Sequence, residues 1–409
     1  MADPVRDQHI VLGVSGSIAC YKAVDLASRL VKAGAKVDVI MTESATKFVT
    51  PLCFGSITHR PVVDDLWDRH SELAIEHVGL AKRAAAILVA PATANVIAKL
   101  SLGFAEDALQ TTVLDTRAPL IIAPAMEHDM YSAPTTQEHL GRLRARGATI
   151  VEPEEGRLAS GLLGRGRLAD PEVILGTLRQ VLGQKSGDLA GRHIVVSAGG
   201  TQEPIDPVRI ITNHSSGKMG YAIAEAARDR GATVTLITAP TALPYPFGVS
   251  TVPVGSVLEM FDAVQSTMRQ ADVLIMAAAV SDYRVANPAT HKIKKQGAAA
   301  QGMTIELVAN PDILAETNGD FVKVGFAAES EDLLANARGK LARKNLDLIA
   351  ANDITGAGSG FGSDTNRVIL IGRDGTPDEL PLLSKRDVAD RLLDRITTIL
   401  ATRQTDRSA

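Results

Sequence analysis

Cysteine is nearly missing from this chain: of 409 residues, only Cys20 and Cys53 carry a thiol. Two thiols are too few for a disulfide framework or a structural zinc site, so any cysteine chemistry must use one of them. Neither sign of charge is in surplus. The 43 Lys and Arg against 47 Asp and Glu leave a net charge of -4, which gives no electrostatic reason to expect nucleic acid or an acidic membrane as partner. No apolar run approaches the length of a membrane span, and Met1-Ala-Asp-Pro-Val-Arg leads into a strand without a signal-peptide pattern. The expectation is a cytoplasmic protein whose partners are small molecules. With 45% hydrophobic residues, the chain has room for two or three domains, each with its own core.

Short apolar runs alternate with amphipathic stretches throughout. Ile10 to Val14, Val37 to Met41, Ala86 to Ala90, Leu120 to Ala123 and Thr149 to Val151 read as strands of a first half, closed by a helix from Pro171 to Leu182. A polar, Gly-containing stretch from Gly183 to Asp188 then reads as a linker. The domains are therefore expected at 1–183 and 191–409, joined by 184–190. In the second half His193 to Ala198, Thr233 to Thr238, Asp272 to Ala277, Thr304 to Val308, Val322 to Phe326, Leu346 to Ala350 and Val368 to Ile371 read as strands. Helices are expected at Lys218 to Arg230, Ser256 to Arg269, Glu331 to Arg343 and Ser384 to Ala401. Such alternation argues for the α/β class, with two doubly wound, mainly parallel sheets: a flavodoxin-like domain followed by a Rossmann-like one. Asp282 to Gln301 breaks the pattern and reads as a flap.

The chain is organised around Gly199 to Gly220, GGTQEPIDPVRIITNHSSGKMG, a long connection from a strand to a helix. In an open α/β sheet such loops lie at the carboxyl ends of the strands, where ligands bind. Gly199 and Gly200 allow close backbone approach to a phosphate, Arg209 can fork onto one, and Asn213-His-Ser-Ser-Gly217 offers amides and hydroxyls at a helix start. The first half has a parallel feature in Gly13-Val-Ser-Gly-Ser17, directly after its first strand. Gly13, Ser15, Gly16 and Ser17 suit a phosphate there, although they also suit any tight turn. The stretch lacks both the Lys-Ser/Thr ending of a nucleotide P-loop and the third glycine of a dinucleotide fingerprint, which favours a monophosphate such as that of FMN. Met41-Thr-Glu-Ser-Ala45 and Ala90-Pro-Ala-Thr-Ala-Asn95 bring further hydroxyl and amide groups to the same sheet edge.

These motifs carry a resemblance. GVSGSIACYK, Glu76-His77-Val-Gly-Leu80, APATANVIAKLSLGFAED and APAMEHDMY resemble the flavin-dependent cysteine decarboxylases that act on 4'-phosphopantothenoylcysteine. The second half, with GGTQEPIDPVRIITNHSSGKMG, AAAVSDYR, HKIKK, ANPDI, VGFAAE and RKNLDLIAAND, is similar to the bacterial phosphopantothenate-cysteine ligases. The resemblance covers nearly the whole chain and implies a bifunctional enzyme of coenzyme A biosynthesis. The second half would couple 4'-phosphopantothenate to L-cysteine through an acyl-cytidylate, using CTP and Mg2+. The first would use FMN to oxidise the cysteine end, lose CO2 and return the electrons, giving 4'-phosphopantetheine. It further implies a homo-oligomer of flavin-domain trimers and ligase dimers, hence a dodecamer.

Residue by residue, the resemblance places Gly13, Ser15 and Ser17 around the FMN phosphate with Thr42 or Ser44. Thr93 and Asn95 fall along the flavin, and His77 is the catalytic histidine. In the ligase half Asn213 holds the acyl nucleotide, Arg209 clamps a phosphate, and Lys292 of the Lys292, Lys294, Lys295 cluster is the catalytic cation. Gly200, Ser215, Ser216, Asp312, Phe326, Lys340 and Lys344 fall in its substrate site, and Asp282 is a candidate for the metal. Read without the resemblance, His77 is a helix-surface residue and the lysine cluster a solvated face. Asp282 and Asp312 are then a strand-end charge and a helix cap.

Two positions depart from the family pattern. Pro124-Ala-Met126-Glu127 stands where Pro-Ala-Met-Asn is usual, so a carboxyl group would face the substrate's carboxylate. Either Glu127 carries a proton there, or the substrate is held differently. In Leu158-Ala-Ser-Gly-Leu-Leu-Gly-Arg-Gly-Arg167, similar to the family's substrate clamp, Ser160 replaces the cysteine taken as proton donor, and a hydroxyl is a far weaker acid. Tyr131 or water would then serve. The alternative reading is an active ligase fused to a catalytically silent flavin-binding regulatory module; a nicotinamide-dependent reductase is disfavoured by the missing fingerprint.

Overall fold

The structure is a computed structural model that describes residues 3–66, 76–294, 303–329, 333–353 and 362–408. The chain forms two units that divide between Lys185 and Ser186.

The first unit is built on a sheet of six strands: β1 (His9–Val14), β2 (Lys36–Met41), β3 (Val62–Val63), β4 (Ala86–Ala92), β5 (Leu120–Pro124) and β6 (Thr149–Ile150). Their order is β3-β2-β1-β4-β5-β6, and all neighbours run parallel. A parallel strand covered on both faces must be apolar on both, and β4 is buried at every residue. Because side chains alternate, Ile10, Leu12 and Leu88 pack on one face with the helices Cys20–Lys32 and Pro171–Ser186. Val11, Ile87 and Val89 pack on the other with the helices Ala94–Leu102 and Pro134–Ala145. The helix Cys20–Lys32 shows why it faces inward: Ala23, Leu26, Ala27 and Leu30 fall on one stripe and are buried, and Arg29 and Lys32 sit in its last turn. A hairpin of β7 (Glu154–Arg157) and β8 (Leu163–Arg167) follows the sheet.

The second unit contains β9 (His193–Ala198), β10 (Gln202–Pro204), β11 (Ile210–Thr212), β12 (Thr233–Thr238), β13 (Ser250–Pro253), β14 (Val273–Met276), β15 (Tyr283–Val285), β16 (Leu307–Ala309), β17 (Val322–Glu329), β18 (Leu348–Asp353), β19 (Thr365–Asn366), β20 (Val368–Gly372), β21 (Pro377–Glu379) and β22 (Leu383–Ser384). Eight of these form the main sheet in the order β13-β12-β9-β14-β17-β18-β20-β21. The pairs from β13 to β18 are parallel, and β20 and β21 add an antiparallel edge. The fold class expected from the sequence is the one observed.

Three differences in the elements have physical causes. The segment expected as a sheet strand at Thr304 to Val308 lies instead in a two-stranded ribbon, β15 with β16; its apolar and polar residues alternate, and Leu307 is exposed, so it never had two faces to bury. The helix expected to stop at Leu182 continues to Ser186, through half of the expected linker. Gly183 is buried there and costs a helix only about 1 kcal/mol relative to alanine. The edge strand β13 was missing from the sequence reading because Pro253 and its polar neighbours hide a strand that an edge position tolerates.

Candidate active sites

In the first sheet the order reverses at β1 and β4, so the crevice lies beyond their carboxyl ends. Ser15 and Thr93 meet there. The buried Ser15 hydroxyl donates to the Pro91 carbonyl at 2.8 Å and accepts the Thr93 amide at 2.9 Å, locking the two loops together. The third loop joins through Gly16: a Cβ on that residue would stand 2.4 Å from the Cβ of Ser44. Thr42 is buried, and its hydroxyl accepts the Ala45 amide, while Thr93 caps the helix Ala94–Leu102 through the Val96 amide. Ser15, Thr42 and Thr93 are thus occupied in building the crevice. Ser44, Asn95 and the backbone at Gly16 remain to meet a ligand, together with the Ser17 O–H, whose oxygen accepts the Ala19 amide at 3.3 Å; Ser44 and Asn95 are exposed. Gly13 packs against Leu109, where a Cβ would stand 2.4 Å from a leucine methyl; its role is packing.

The hairpin β7–β8 is pinned to the loop after β5. Met126 donates its amide to the Gly166 carbonyl at 3.0 Å, and His128 Nδ1 accepts the Arg165 amide at 3.1 Å. Between them Glu127 has one carboxylate oxygen, Oε1, buried and without a hydrogen-bond partner among the described residues. Ser160 is exposed in the hairpin turn, its hydroxyl accepting the Leu162 amide at 3.3 Å. Tyr131 is buried and donates to Glu152 at 2.5 Å. Burial first, and then the Glu152 carboxylate, push its phenol above the ordinary tyrosine range, which makes it a poor proton donor. Cys20 is no substitute: it is buried, donates to the Ser15 carbonyl at 3.3 Å, and burial raises its thiol. His77 is half-buried in the first turn of the helix Glu76–Arg83.

In the second sheet the reversal falls at β9 and β14, and the loops following those strands are tied across it. Ala279 donates to the Gly199 carbonyl at 2.8 Å and Thr201 to the Ala279 carbonyl at 3.2 Å. Gly199 has φ +80°, and its Cβ would stand 2.7 Å from the Ala239 carbonyl oxygen, so only glycine fits. Beyond this bridge is a cavity of about 460 Å³. Asn213, Ser215, Ser216, Asp282, Phe326 and Lys340, six of the expected residues, line it together. Asn213 Nδ2 donates to the Val280 carbonyl at 3.1 Å, and Lys340 Nζ to the Phe326 carbonyl at 3.0 Å. Gly200, also expected in this site, is not part of the lining; it packs behind Asn213, where a Cβ would stand 2.6 Å from the Asn213 carbonyl oxygen.

Other expected residues lie outside that lining. Asp312 caps the helix Ile313–Glu316 and pairs with Lys344 at 2.8 Å. Arg209 reaches the Ile293 carbonyl at 3.0 Å and stands 3.6 Å from Asp206, whose carboxylate accepts the Ile293 amide at 3.1 Å. Lys292 and Lys294, on either side of Ile293, are exposed; Lys295 lies outside the described residues. Among the described residues no three acidic, His or Cys side chains cluster to cage a metal.

A family model for a flavoprotein matches residues 2–183, and one described as DNA/pantothenate metabolism flavoprotein C-terminal domain matches residues 189–400. The coenzyme A biosynthesis bifunctional protein CoaBC of Bacillus subtilis (strain 168) is 46% identical over 400 residues, covering 97% of this chain and 98% of its own. The chain belongs to that bifunctional coenzyme A biosynthesis family. The Escherichia coli (strain K12) member is 45% identical over 394 residues, covering 95% of this chain and 96% of its own. A solved C-terminal domain of a family member covers 53% of this chain and 100% of its own at 41% identity, with a TM-score of 0.46. Because family members align across both halves, a silent flavin module is the disfavoured reading. No helix among the described residues is long and apolar enough to cross a membrane.

The cavity also holds polar residues that the sequence motifs do not single out. Asn352, Asn366 and Lys385 also line the 460 Å³ cavity. Asn352 was within reach, as the asparagine of the RKNLDLIAAND motif at a strand's carboxyl end. Asn366 and Lys385 were not, because only the antiparallel return of β19 and β22 brings them there.

Proposed function

We propose that the second unit is a CTP-dependent phosphopantothenate-cysteine ligase and the first an FMN-dependent phosphopantothenoylcysteine decarboxylase, acting in that order. The observation that carries the ligase reading is the single cavity in which Asn213, Ser215, Ser216, Asp282, Phe326 and Lys340 meet. The 4'-phosphopantothenate carboxylate attacks the α-phosphorus of CTP, the bond to the bridging oxygen breaks, and pyrophosphate leaves with the electron pair. The cysteine amine then attacks the acyl carbon, loses a proton, and CMP departs. Asn213, fixed by Val280, presents its remaining amide oxygen to the acyl nucleotide. Phe326 stacks on the base. Asp282 would hold Mg2+, which would supply positive charge to the phosphates, and Lys292, steadied through Ile293, is the cation that the protein itself brings.

In the first unit the crevice fits a flavin monophosphate: Gly16 and Ser44 close against each other, and Ser17, Ser44 and Asn95 keep polar groups for a phosphate and a ring. FMN, when bound, supplies a two-electron oxidation and its return, so that a carboxylate can be lost without net redox change. The protein's part is to position and protonate. His77 holds or deprotonates the thiol or carboxylate. The Glu127 Oε1 that lacks a partner accepts a hydrogen bond from the substrate. With Tyr131 committed to Glu152 and Ser160 a weak acid, water supplies the final proton.

The assembly follows as flavin-unit trimers and ligase dimers within a cytoplasmic dodecamer. The deciding experiment is a mass-resolved assay with 4'-phosphopantothenate, L-cysteine, CTP and Mg2+. Formation of 4'-phosphopantetheine and CO2 supports both halves. Arrest at 4'-phosphopantothenoylcysteine removes the decarboxylase.

A further inference from the structure

One region of the ligase cavity is more polar than its proposed work on the acid requires. Asn366 is only 3% exposed, yet among the described residues its Oδ1 has no hydrogen-bond partner, and its Nδ2 faces the Met219 sulfur at 4.0 Å. Asn352 Oδ1 is likewise buried without a partner among the described residues. Both residues line the cavity. A buried carboxamide left unsatisfied costs the full desolvation of its polar atoms, so two that line one cavity mark a place that a ligand completes. The Asn366 amide can be turned to present N–H to that ligand, its sulfur contact at 4.0 Å being weak.

The charge there is positive. Lys385 lines the cavity and donates to the Ser363 carbonyl. Burial foremost, and then the neighbouring Lys218 charge, hold its ammonium below the ordinary lysine range. Lys218 itself donates to the Gly362 carbonyl at 2.9 Å and to the exposed Asp364 at 2.6 Å. Lys218 also opens the helix Lys218–Asp229, whose first turn holds no acidic residue and whose N-cap, Gly217, gives no side-chain cap. A helix start without a side-chain cap, two carboxamides and a crowded ammonium together suit a polyanion rather than a single carboxylate.

Resting on the ligase reading, we propose that Asn352, Asn366 and Lys385 hold the polyphosphate end of the nucleotide, with Lys385 neutralising pyrophosphate as it leaves. As the bond between the α-phosphorus and the bridging oxygen breaks, its electron pair passes to pyrophosphate. Lys385 then meets that charge with its ammonium, which also has the Asp364 carboxylate nearby.

The test separates the two half-reactions of the whole protein. In the first, CTP, Mg2+ and 4'-phosphopantothenate are supplied without cysteine, and both pyrophosphate release and exchange of labelled pyrophosphate into CTP are followed. In the second, preformed acyl-cytidylate and cysteine are supplied, and CMP release is followed. Lys385→Gln is expected to slow the first about ten- to a hundredfold, the worth of one charge-assisted hydrogen bond, to raise the KM for pyrophosphate in the exchange, and to leave the second unchanged. Lys385→Arg is expected to restore part of the loss, and Asn366→Ala to follow Lys385→Gln in direction. Equal slowing of both half-reactions, or a raised KM for 4'-phosphopantothenate with that for CTP unchanged, overturns the assignment; the latter gives this end to the acid's own phosphate. A wild-type protein that forms no acyl-cytidylate overturns the ligase reading itself.

Discussion

Glu127 shows how one side chain can report on a missing ligand. Its buried Oε1 has no partner among the described residues, a state that a native structure keeps only for a reason. Glu127→Ala is expected to slow CO2 release from preformed 4'-phosphopantothenoylcysteine by about ten- to a hundredfold, while CMP release by the other unit is unchanged. Asp312 tests a different kind of contact. Burial raises its pKa, but the hydrogen bond from Lys344, the Ala315 amide and the Lys344 charge outweigh it, and the net shift is downward. A lowered carboxyl stabilises the fold above its unfolded-state pKa and loses that contribution as pH falls through the folded one. Lys344→Met should therefore cost about 1 kcal/mol or less at neutral pH, the pair being partly exposed. The difference from wild type should close as urea titrations are carried down below the ordinary carboxylate range.

At the scale of elements, two backbone clasps fix the chemistry-bearing loops. Asp206 accepts the Ile293 amide and Arg209 donates to the Ile293 carbonyl, so the two peptide groups that flank Ile293 are gripped between Lys292 and Lys294. Asp206→Ala is expected to lower the ligase kcat about tenfold or more by loosening that placement. Flavin content and decarboxylation of preformed substrate should not change. Gly166 plays the matching part in the other unit: a Cβ there would stand 2.2 Å from the Met126 carbonyl oxygen. Gly166→Ala must push the hairpin from the Glu127 loop, and CO2 release should fall while CMP release persists. The sequence announces such elements unevenly. The strands buried on both faces were legible because burial forces a continuous apolar run, and the loops that follow them were legible because position at a strand end implies ligand. Asn366 and Lys385 were illegible, since their place depends on the antiparallel pairing of β19 with β22, which no local pattern encodes. Asp206 was illegible for a related reason: its partner is a main-chain amide 87 residues away.

As a whole molecule the protein holds two sets of cores, one either side of the division after Lys185. Each should unfold as its own cooperative unit, and calorimetry should resolve two transitions. Removal of FMN is expected to lower one transition and leave the other. Addition of CTP with Mg2+ should raise the second, by the free energy of binding the native state alone. A single transition that moves with both ligands would contradict this independence.

The bridge between Gly200 and Ala279 bears on the heat of binding rather than on its geometry. The strand-end loops it joins are already tied by the protein's own backbone, so those two loops have less conformational entropy to lose when a nucleotide docks. Titration calorimetry of CTP should then show a small negative heat-capacity change, set by the apolar area that the base covers against Phe326, without the large value of a site that folds around its ligand.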